Sequence, residues 1–139
     1  SRYEIMLDNY CKTLRIEGLT LAGMIQREIL PACFSYQEEL AGLLQRKKAW
    51  GQFSSTPEEH LLGQISQLCQ DLHGKLAALE GASQEAERAG NVLARAQAYR
   101  REVFPILVDL RQIIDGLETL VAKKYWPYPT YAEILYSVI

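Results

Sequence analysis

The sequence predicts an all-α protein: an antiparallel three-helix bundle of long helices. Apolar residues recur every three or four positions along most of the 139-residue chain, which is the spacing of one helical face. No stretch alternates apolar and polar residues over the length of a β-strand. The connections between the periodic segments are short, and short connections favour antiparallel neighbours. We therefore expect a single helical domain over residues 1–139.

The first predicted helix covers residues 2–50, with a kink at Pro31. Proline removes a backbone donor and crowds the preceding turn, which bends a helix. Arg46, Lys47 and Lys48 fall in the last turn, where cations favour the negative end of the helix dipole. Gly51 follows as the predicted stop.

The second predicted helix covers residues 57–89. Thr56, Pro57 and Glu59 form the start signal, with Thr56 as the N-cap and Glu59 completing a capping box. Leucines and one isoleucine then recur at helical spacing, as expected for a helix packed on partners. These positions are Leu61, Ile65, Leu68, Leu72, Leu76 and Leu79.

The third predicted helix covers residues 92–124, with a kink at Pro105, after a break at Gly90 and Asn91. The pattern arginine, glutamate, two apolar residues and proline occurs at residues 27–31 and again at 101–105. Two readings stay open: a pair of matching kinks, or coincidence in so short a pattern.

An extended segment rich in aromatic residues and proline is predicted from Lys123 to Tyr131. Two prolines restrict the backbone, and Tyr125, Trp126, Tyr128 and Tyr131 line it. A capping box from Thr130 predicts a short final helix over residues 131–136. The segment either caps the bundle end that also carries Trp50 or contacts another domain or subunit.

The beginning of the first helix is predicted to extend beyond its partners. At a rise of 1.5 Å per residue it would be roughly 20 Å longer than either other helix. Tyr3, Met6, Leu7 and Tyr10 would then lack cover from this chain. A missing upstream domain or self-association would cover them, unless the helix breaks near Gly18 and Gly23 and its start folds back. Ser1 in place of an initiator Met favours a piece cut from a larger protein.

Composition excludes several classes of protein. Fifteen Lys and Arg against seventeen Asp and Glu leave a formal charge of -2, so we expect no nucleic-acid partner. No apolar run reaches the roughly 20 residues of a membrane-spanning helix, so we expect no membrane partner. Three widely spaced cysteines argue against a secreted disulfide framework and favour the cytoplasm.

No catalytic, cofactor-binding or metal site is predicted. His60 and His73 would lie roughly 140° apart around one helix, so they cannot share a metal ion there. Cys69 and His73 have ligand spacing, but zinc needs four ligands and no further Cys or His lies nearby. Phosphate-binding loops and nucleophile motifs do not occur.

The sequence resembles the C-terminal end of type III glutamine synthetases. The end of the chain carries the most distinctive match, Lys124-Tyr-Trp-Pro-Tyr-Pro-Thr-Tyr131. Further matching stretches are residues 99–105, 110–111 and 115–118, and in the first helix 3–5, 10–13, 16–17 and 28–31. Departures are mild: Tyr128 where the family has Phe, and Ala132-Glu133 where it has Gly-Asp.

The resemblance implies a parent enzyme that joins ammonia to glutamate with ATP and a divalent metal, Mg²⁺ or Mn²⁺, as a large oligomer. The family's catalytic residues lie upstream of the matching region, so none is carried onto this chain. The chain would be a non-catalytic C-terminal structural or oligomerisation domain whose partners are the parent's catalytic domain and neighbouring subunits. The alternative is a free-standing helical adaptor that recruits a partner through the Trp126 region.

Overall fold

The computed structural model describes residues 1–129, and these residues are all-α, with no strand among them. The helical elements are α1 (Arg2–Met24), the π-helical turn π1 (Ile25–Ile29), α2 (Leu30–Trp50), α3 (Thr56–Glu87), α4 (Val92–Ala98), the π-helical turn π2 (Tyr99–Val103) and α5 (Phe104–Leu120). The all-α prediction is confirmed. The final helix predicted over residues 131–136, with its capping box at Thr130, lies outside the described residues.

The two prolines are each preceded by a π-helical turn. Each turn ends two residues before the proline, π1 before Pro31 and π2 before Pro105. Proline lacks the N–H of a regular helical bond and its ring crowds the carbonyl four residues earlier, and a wider turn relieves both problems. In the second case Phe104 donates its N–H to the Tyr99 carbonyl, five residues back. The repeated pattern around the prolines therefore marks two equivalent backbone features.

The π turns also keep apolar residues on the buried face. Across π1 the fully buried positions are Ile25, Ile29 and Cys33, two consecutive steps of four residues. In a regular α-helix two such steps rotate a side chain by about 80° around the axis. A wider turn absorbs this rotation, so that all three side chains stay in the core. Tyr99, Val103 and Leu107 repeat the same spacing and burial across π2.

Both ends of α3 differ from the predicted bounds, residues 57–89. The helix begins at Thr56, because the Ser55 carbonyl accepts the first helical bond, from Glu59 N–H at 2.9 Å. Ser55, and not Thr56, therefore precedes the first turn. The same helix ends at Glu87 and not at residue 89, because Ala89 N–H bonds to the carbonyl three residues back, at 3.2 Å, which tightens the chain into a turn.

The third predicted helix ends at Leu120, four residues before the predicted end at Lys124. Its beginning, at Val92, is fixed by Asn91, whose side-chain oxygen accepts a hydrogen bond from Ala94 N–H at 2.8 Å. Asn91 was predicted only as part of a break, and the structure shows that it is also the N-cap.

The chain divides into two compact units, and the prediction of a single domain stays a prediction. The first unit comprises Ser1–Met24 and Asp71–Ile113. Within it α1 packs against α4 and π2. A side-chain carbon placed on Gly18 of α1 would lie 3.6 Å from Leu79 and 3.9 Å from Leu107, so the absence of a side chain permits a close approach.

The side chain of Tyr99 is fully buried in the core of the first unit. The Tyr99 hydroxyl donates a short hydrogen bond to the Glu87 carboxylate, and Arg15 Nη1 pairs with the same carboxylate oxygen at 3.2 Å. Burial, followed by the contact with Glu87, raises the pKa of Tyr99 above its ordinary range. The phenol therefore stays protonated and satisfies its polar atom inside an apolar core.

The second unit comprises Ile25–Gln70 and Ile114–Ile139, of which the structure describes residues up to 129. Its core side chains include Ile25, Ile29, Cys33, Ile65 and Leu117, all fully buried. Near the α2–α3 connection, Lys47 pairs with Glu58 and donates a hydrogen bond to the Ser54 carbonyl at 3.0 Å. Lys47, predicted to act on the helix dipole, thus also joins the ends of two helices.

None of the helices within residues 1–129 combines the length and apolar character that crossing a lipid bilayer requires.

We expect Leu110→Ala to lower the free energy of unfolding by about 2–5 kcal/mol, because it leaves a cavity at a fully buried position. Leu19→Ala removes the same atoms from an exposed position of α1, and we expect a change within about 0.5 kcal/mol. Urea denaturation followed by circular dichroism measures both. Equal losses for the two variants would contradict the assignment of the core.

Candidate contact surfaces

The start of α1 becomes progressively exposed towards its first turn. Leu14 is buried, Leu7 and Tyr10 are half-buried, and Tyr3 and Met6 are 60% and 68% exposed. Tyr3, Leu7, Tyr10 and Leu14 fall on one face at about 100° per residue, so the core-facing side of α1 runs out of partners within the described residues. Their role as a contact surface stays a prediction.

The opposite side of α1 also carries apolar residues. Ile5, Ile16 and Leu19 are each more than 60% exposed. At about 100° per residue they lie within about 60° of one another and opposite Leu14. We call these three residues the outer face of α1. Ile16 and Leu19 were missed from sequence because a search for one apolar face per helix assigns only the core-facing side.

The aromatic segment is not extended at its beginning, contrary to the prediction. After α5 ends, Tyr125 N–H bonds to the Ala122 carbonyl at 2.9 Å, and Trp126 N–H bonds to the Lys123 carbonyl at 3.2 Å. These bonds form a turn through residues 122–126. The prolines restrict the backbone only from Pro127 onward, so they do not prevent it.

A carboxylate of α2 anchors this turn. Lys124 Nζ lies 2.7 Å from Glu39 Oε1, and the Tyr125 hydroxyl donates to the same oxygen at 3.3 Å. The ring of Tyr125 also lies 5.8 Å from that of Tyr36, one turn earlier on α2. The hydrogen bond from Lys124 is the main cause that lowers the pKa of Glu39. Lys124, predicted to end a helix, instead forms an ion pair.

Trp126 and Tyr128 lie against the second unit, and their role as contact residues stays a prediction. Trp126 is 9% exposed, and its ring meets the Tyr128 ring edge-on with centroids 6.5 Å apart. The Tyr128 hydroxyl oxygen is buried, and burial, followed by the nearby Glu28 carboxylate, raises the pKa of Tyr128 to about 12. Tyr131, the last residue of the predicted contact set, lies outside the described residues.

The other tryptophan remains uncovered. Trp50 is 84% exposed and Phe53 is 61% exposed, both at the connection between α2 and α3. The aromatic segment was expected, in one reading, to cap the end that carries Trp50. It packs instead beside Tyr36 and Glu39, more than two turns earlier in the sequence of α2. The sequence alone did not identify Trp50 and Phe53 as exposed aromatic residues.

Side chains that could bind a metal ion do not cluster in the described part of the chain. Within residues 1–129 no three His, Cys, Asp or Glu side chains are arranged to hold a metal ion. His60 and His73 are both exposed on α3.

The ion pair at Glu39 predicts a pH-dependent anchor for the aromatic segment. The pKa of the Glu39 carboxyl is lower in the folded chain than its ordinary value of 4.5. The ion pair therefore stabilises the fold above pH 4.5, and this stabilisation is lost as the pH falls through the lowered pKa. In a Trp50→Phe background, Glu39→Gln should increase acrylamide quenching of Trp126 at pH 7. The difference from the Glu39 chain should disappear in acid.

The matched control is Glu38→Gln, which removes a charge from the neighbouring position of α2. Its quenching should equal that of the background chain at both pH values. Equal effects of Glu38→Gln and Glu39→Gln would show that the net charge of α2, and not the ion pair between Glu39 and Lys124, controls the exposure of Trp126.

Comparison with known proteins supplies the family. A family model described as "Glutamine synthetase C-terminal domain" matches residues 1–48. A glutamine synthetase of Butyrivibrio fibrisolvens is 31% identical over 139 residues, covering 99% of this chain and 20% of the relative. A type-3 glutamine synthetase of Dictyostelium discoideum is 27% identical over 146 residues, covering 98% of this chain and 19% of the relative.

A glutamine synthetase of Bacteroides fragilis is 29% identical over 143 residues, covering 98% of this chain and 19% of the relative. The chain thus spans about a fifth of the length of these relatives. The similarity runs along almost the whole chain, including the region between the matching stretches at residues 28–31 and 99–105. Along almost its whole length the chain is thus similar to glutamine synthetases, one of them named type-3, and its first 48 residues match their C-terminal domain, which confirms the resemblance seen in the sequence.

Proposed function

We infer that this chain is a non-catalytic structural and assembly module of a type III glutamine synthetase. The module contributes contacts to the parent's catalytic domain and neighbouring subunits. The parent ligates ammonia to glutamate at the expense of ATP, with Mg²⁺ or Mn²⁺, in parts of the protein other than this module. Cys11, Cys33 and Cys69 are free thiols that no disulfide joins, which supports a cytoplasmic location.

The exposed outer face of α1 is the observation that carries this proposal. A helix with apolar residues all round is normally enclosed on all sides. On the inner side of α1 the first unit encloses Cys11, Leu14 and Gly18, whereas Ile5, Ile16 and Leu19 face outward. Enclosing a Leu or Ile side chain contributes about 1.5–3 kcal/mol, so three of them supply a substantial part of an interface.

The use of the ionised side chains supports a structural role. Five carboxylates on the helices are engaged in ion pairs that join separate segments within one unit. These pairs are Glu17 with Arg111, Glu39 with Lys124, Glu58 with Lys47, Glu87 with Arg15, and Asp109 with Lys75. The cation partners lower the pKa of Glu39 and of Glu58, which disfavours a role of these two carboxylates as general base.

The isolated chain is expected to show no glutamate- and ammonia-dependent ATP turnover. The reason is that ATP and the metal bind elsewhere in the parent. Phosphate release from the purified chain measures this, with the parent enzyme as positive control. Turnover that remains with the chain through successive purification steps would overturn the non-catalytic assignment.

The double variant Ile16→Glu/Leu19→Glu is expected to weaken assembly of the parent, because it places two charges in a surface that becomes enclosed. In the isolated chain the same variant should keep its helicity and thermal midpoint, since both positions are exposed. Analytical ultracentrifugation of the parent measures the oligomer.

The control adds the same charge at two exposed polar positions, Gln97→Glu and Gln112→Glu, on α4 and α5. The control parent should assemble normally. Equal assembly of both variants would show that the outer face of α1 is not a contact surface.

A further inference from the structure

Two cysteine side chains meet in the core of the second unit. Cys33 lies on α2 and is fully buried, and Cys69 lies on α3 and is 8% exposed. The side chains of Cys33 and Cys69 are in contact, and the two residues are not joined by a disulfide. Thirty-six positions separate them in sequence, so only the packing of α2 on α3 brings the two sulfur atoms together.

A glutamine side chain supports the sulfur of Cys69. Gln37 Nε2 donates to the Cys33 carbonyl at 3.3 Å, one turn earlier on α2, and lies 3.7 Å from Cys69 Sγ. The Cys69 sulfur thus accepts from the Gln37 amide and lies beside the Cys33 side chain. These two contacts lower the pKa of Cys69 against the opposing effect of burial, whereas the pKa of Cys33 is raised.

Cys69, unlike Cys33, also lines a surface cavity. This cavity has a volume of about 460 Å³, and its apolar walls are Phe34, Ala41 and Leu62, with Gln37 beside the sulfur. Glu38 lies at the same cavity, so its charge disfavours anionic reagents. A small uncharged molecule can approach Cys69 from the cavity, whereas Cys33 is fully buried.

We propose that Cys69 and Cys33 form a redox modification site for a small hydroperoxide, in which Cys69 attacks and Cys33 resolves. The Cys69 thiolate attacks one oxygen of the O–O bond, the bond breaks, and the other oxygen leaves as water or an alcohol after protonation. Cys69 becomes a sulfenic acid. The Cys33 sulfur then displaces its hydroxyl, which leaves as water, and a disulfide forms.

Two electrons from the thiols are thereby consumed by the O–O bond, and a thiol reductant restores the pair. The product joins α2 to α3 covalently within the second unit. A disulfide needs a sulfur–sulfur distance of about 2.0 Å, so the contact between the two thiols closes further as the bond forms. This inference does not depend on the proposed assembly function.

Cys11 provides an internal comparison. It is buried in the first unit, where desolvation raises its pKa and the Glu87 carboxylate adds to the effect. A buried thiol of raised pKa reacts slowly, because the thiolate is the nucleophile. Cys11 is therefore expected to remain reduced while the Cys33 and Cys69 pair reacts.

The test treats the purified chain with hydrogen peroxide at neutral pH and follows each cysteine by peptide mass spectrometry. The wild-type chain should form the Cys33–Cys69 disulfide, at a rate at least about tenfold above oxidation of Cys11. With Cys33→Ser, dimedone should trap a sulfenic acid at Cys69. With Cys69→Ser, Cys33 should remain reduced, and Cys11→Ser should behave as wild type.

Gln37→Leu removes the amide donor and should slow oxidation of Cys69 by about three- to tenfold. Ser66→Ala changes another residue that lines the cavity without removing this donor and serves as its control. Far-ultraviolet circular dichroism checks that each cysteine variant is folded. If a variant folds poorly, the oxidation rates of Cys11 and Cys69 in the wild-type chain still test the proposal. Equal rates at Cys11 and Cys69, trapping at Cys33 in Cys69→Ser, or no disulfide in the folded wild type would each overturn the proposal.

Discussion

Enclosure of one apolar face along each helix is the constraint on which the rest of the structure depends. Side chains such as Ile65, Leu72 and Leu110 are fully buried, and burial of apolar area is the main favourable term in folding. The two π turns serve this constraint. They let residues four apart, on both sides of Pro31 and Pro105, stay in the core where a regular helix would rotate them away. The prolines thus change the helix geometry while the buried face remains continuous.

Once the core faces are enclosed, the remaining apolar residues divide into two kinds. Trp126 and Tyr128 are held within the second unit, with the Glu39 ion pair fixing the turn that precedes them. Ile5, Ile16 and Leu19 have no such cover among the described residues. The structure therefore adds the outer face of α1 to the two contact surfaces predicted from sequence, the start of α1 and the aromatic segment.

The pairing of Cys33 with Cys69 follows from the same packing. A small side chain on each helix allows α2 and α3 to approach, and the glutamine one turn after Cys33 satisfies its own polar group on the neighbouring carbonyl and sulfur. A dithiol with an adjacent amide donor and an access cavity has the components of a reactive pair. Cys11 lacks this arrangement, although it has the same residue type and similar burial.

The sequence by itself determined the all-α class, the end of the first long helix at Trp50 and the core-facing side of α3 with Ile65, Leu72 and Leu79, because helical periodicity and local stop signals are encoded over a few neighbouring residues. It also carried the family resemblance. Tertiary structure alone decided the partner of Lys124, the burial of Trp126, the exposure of Trp50 and the meeting of Cys33 with Cys69. Each of these depends on residues distant in sequence, whose proximity is fixed only when one helix packs on another and no local pattern records it.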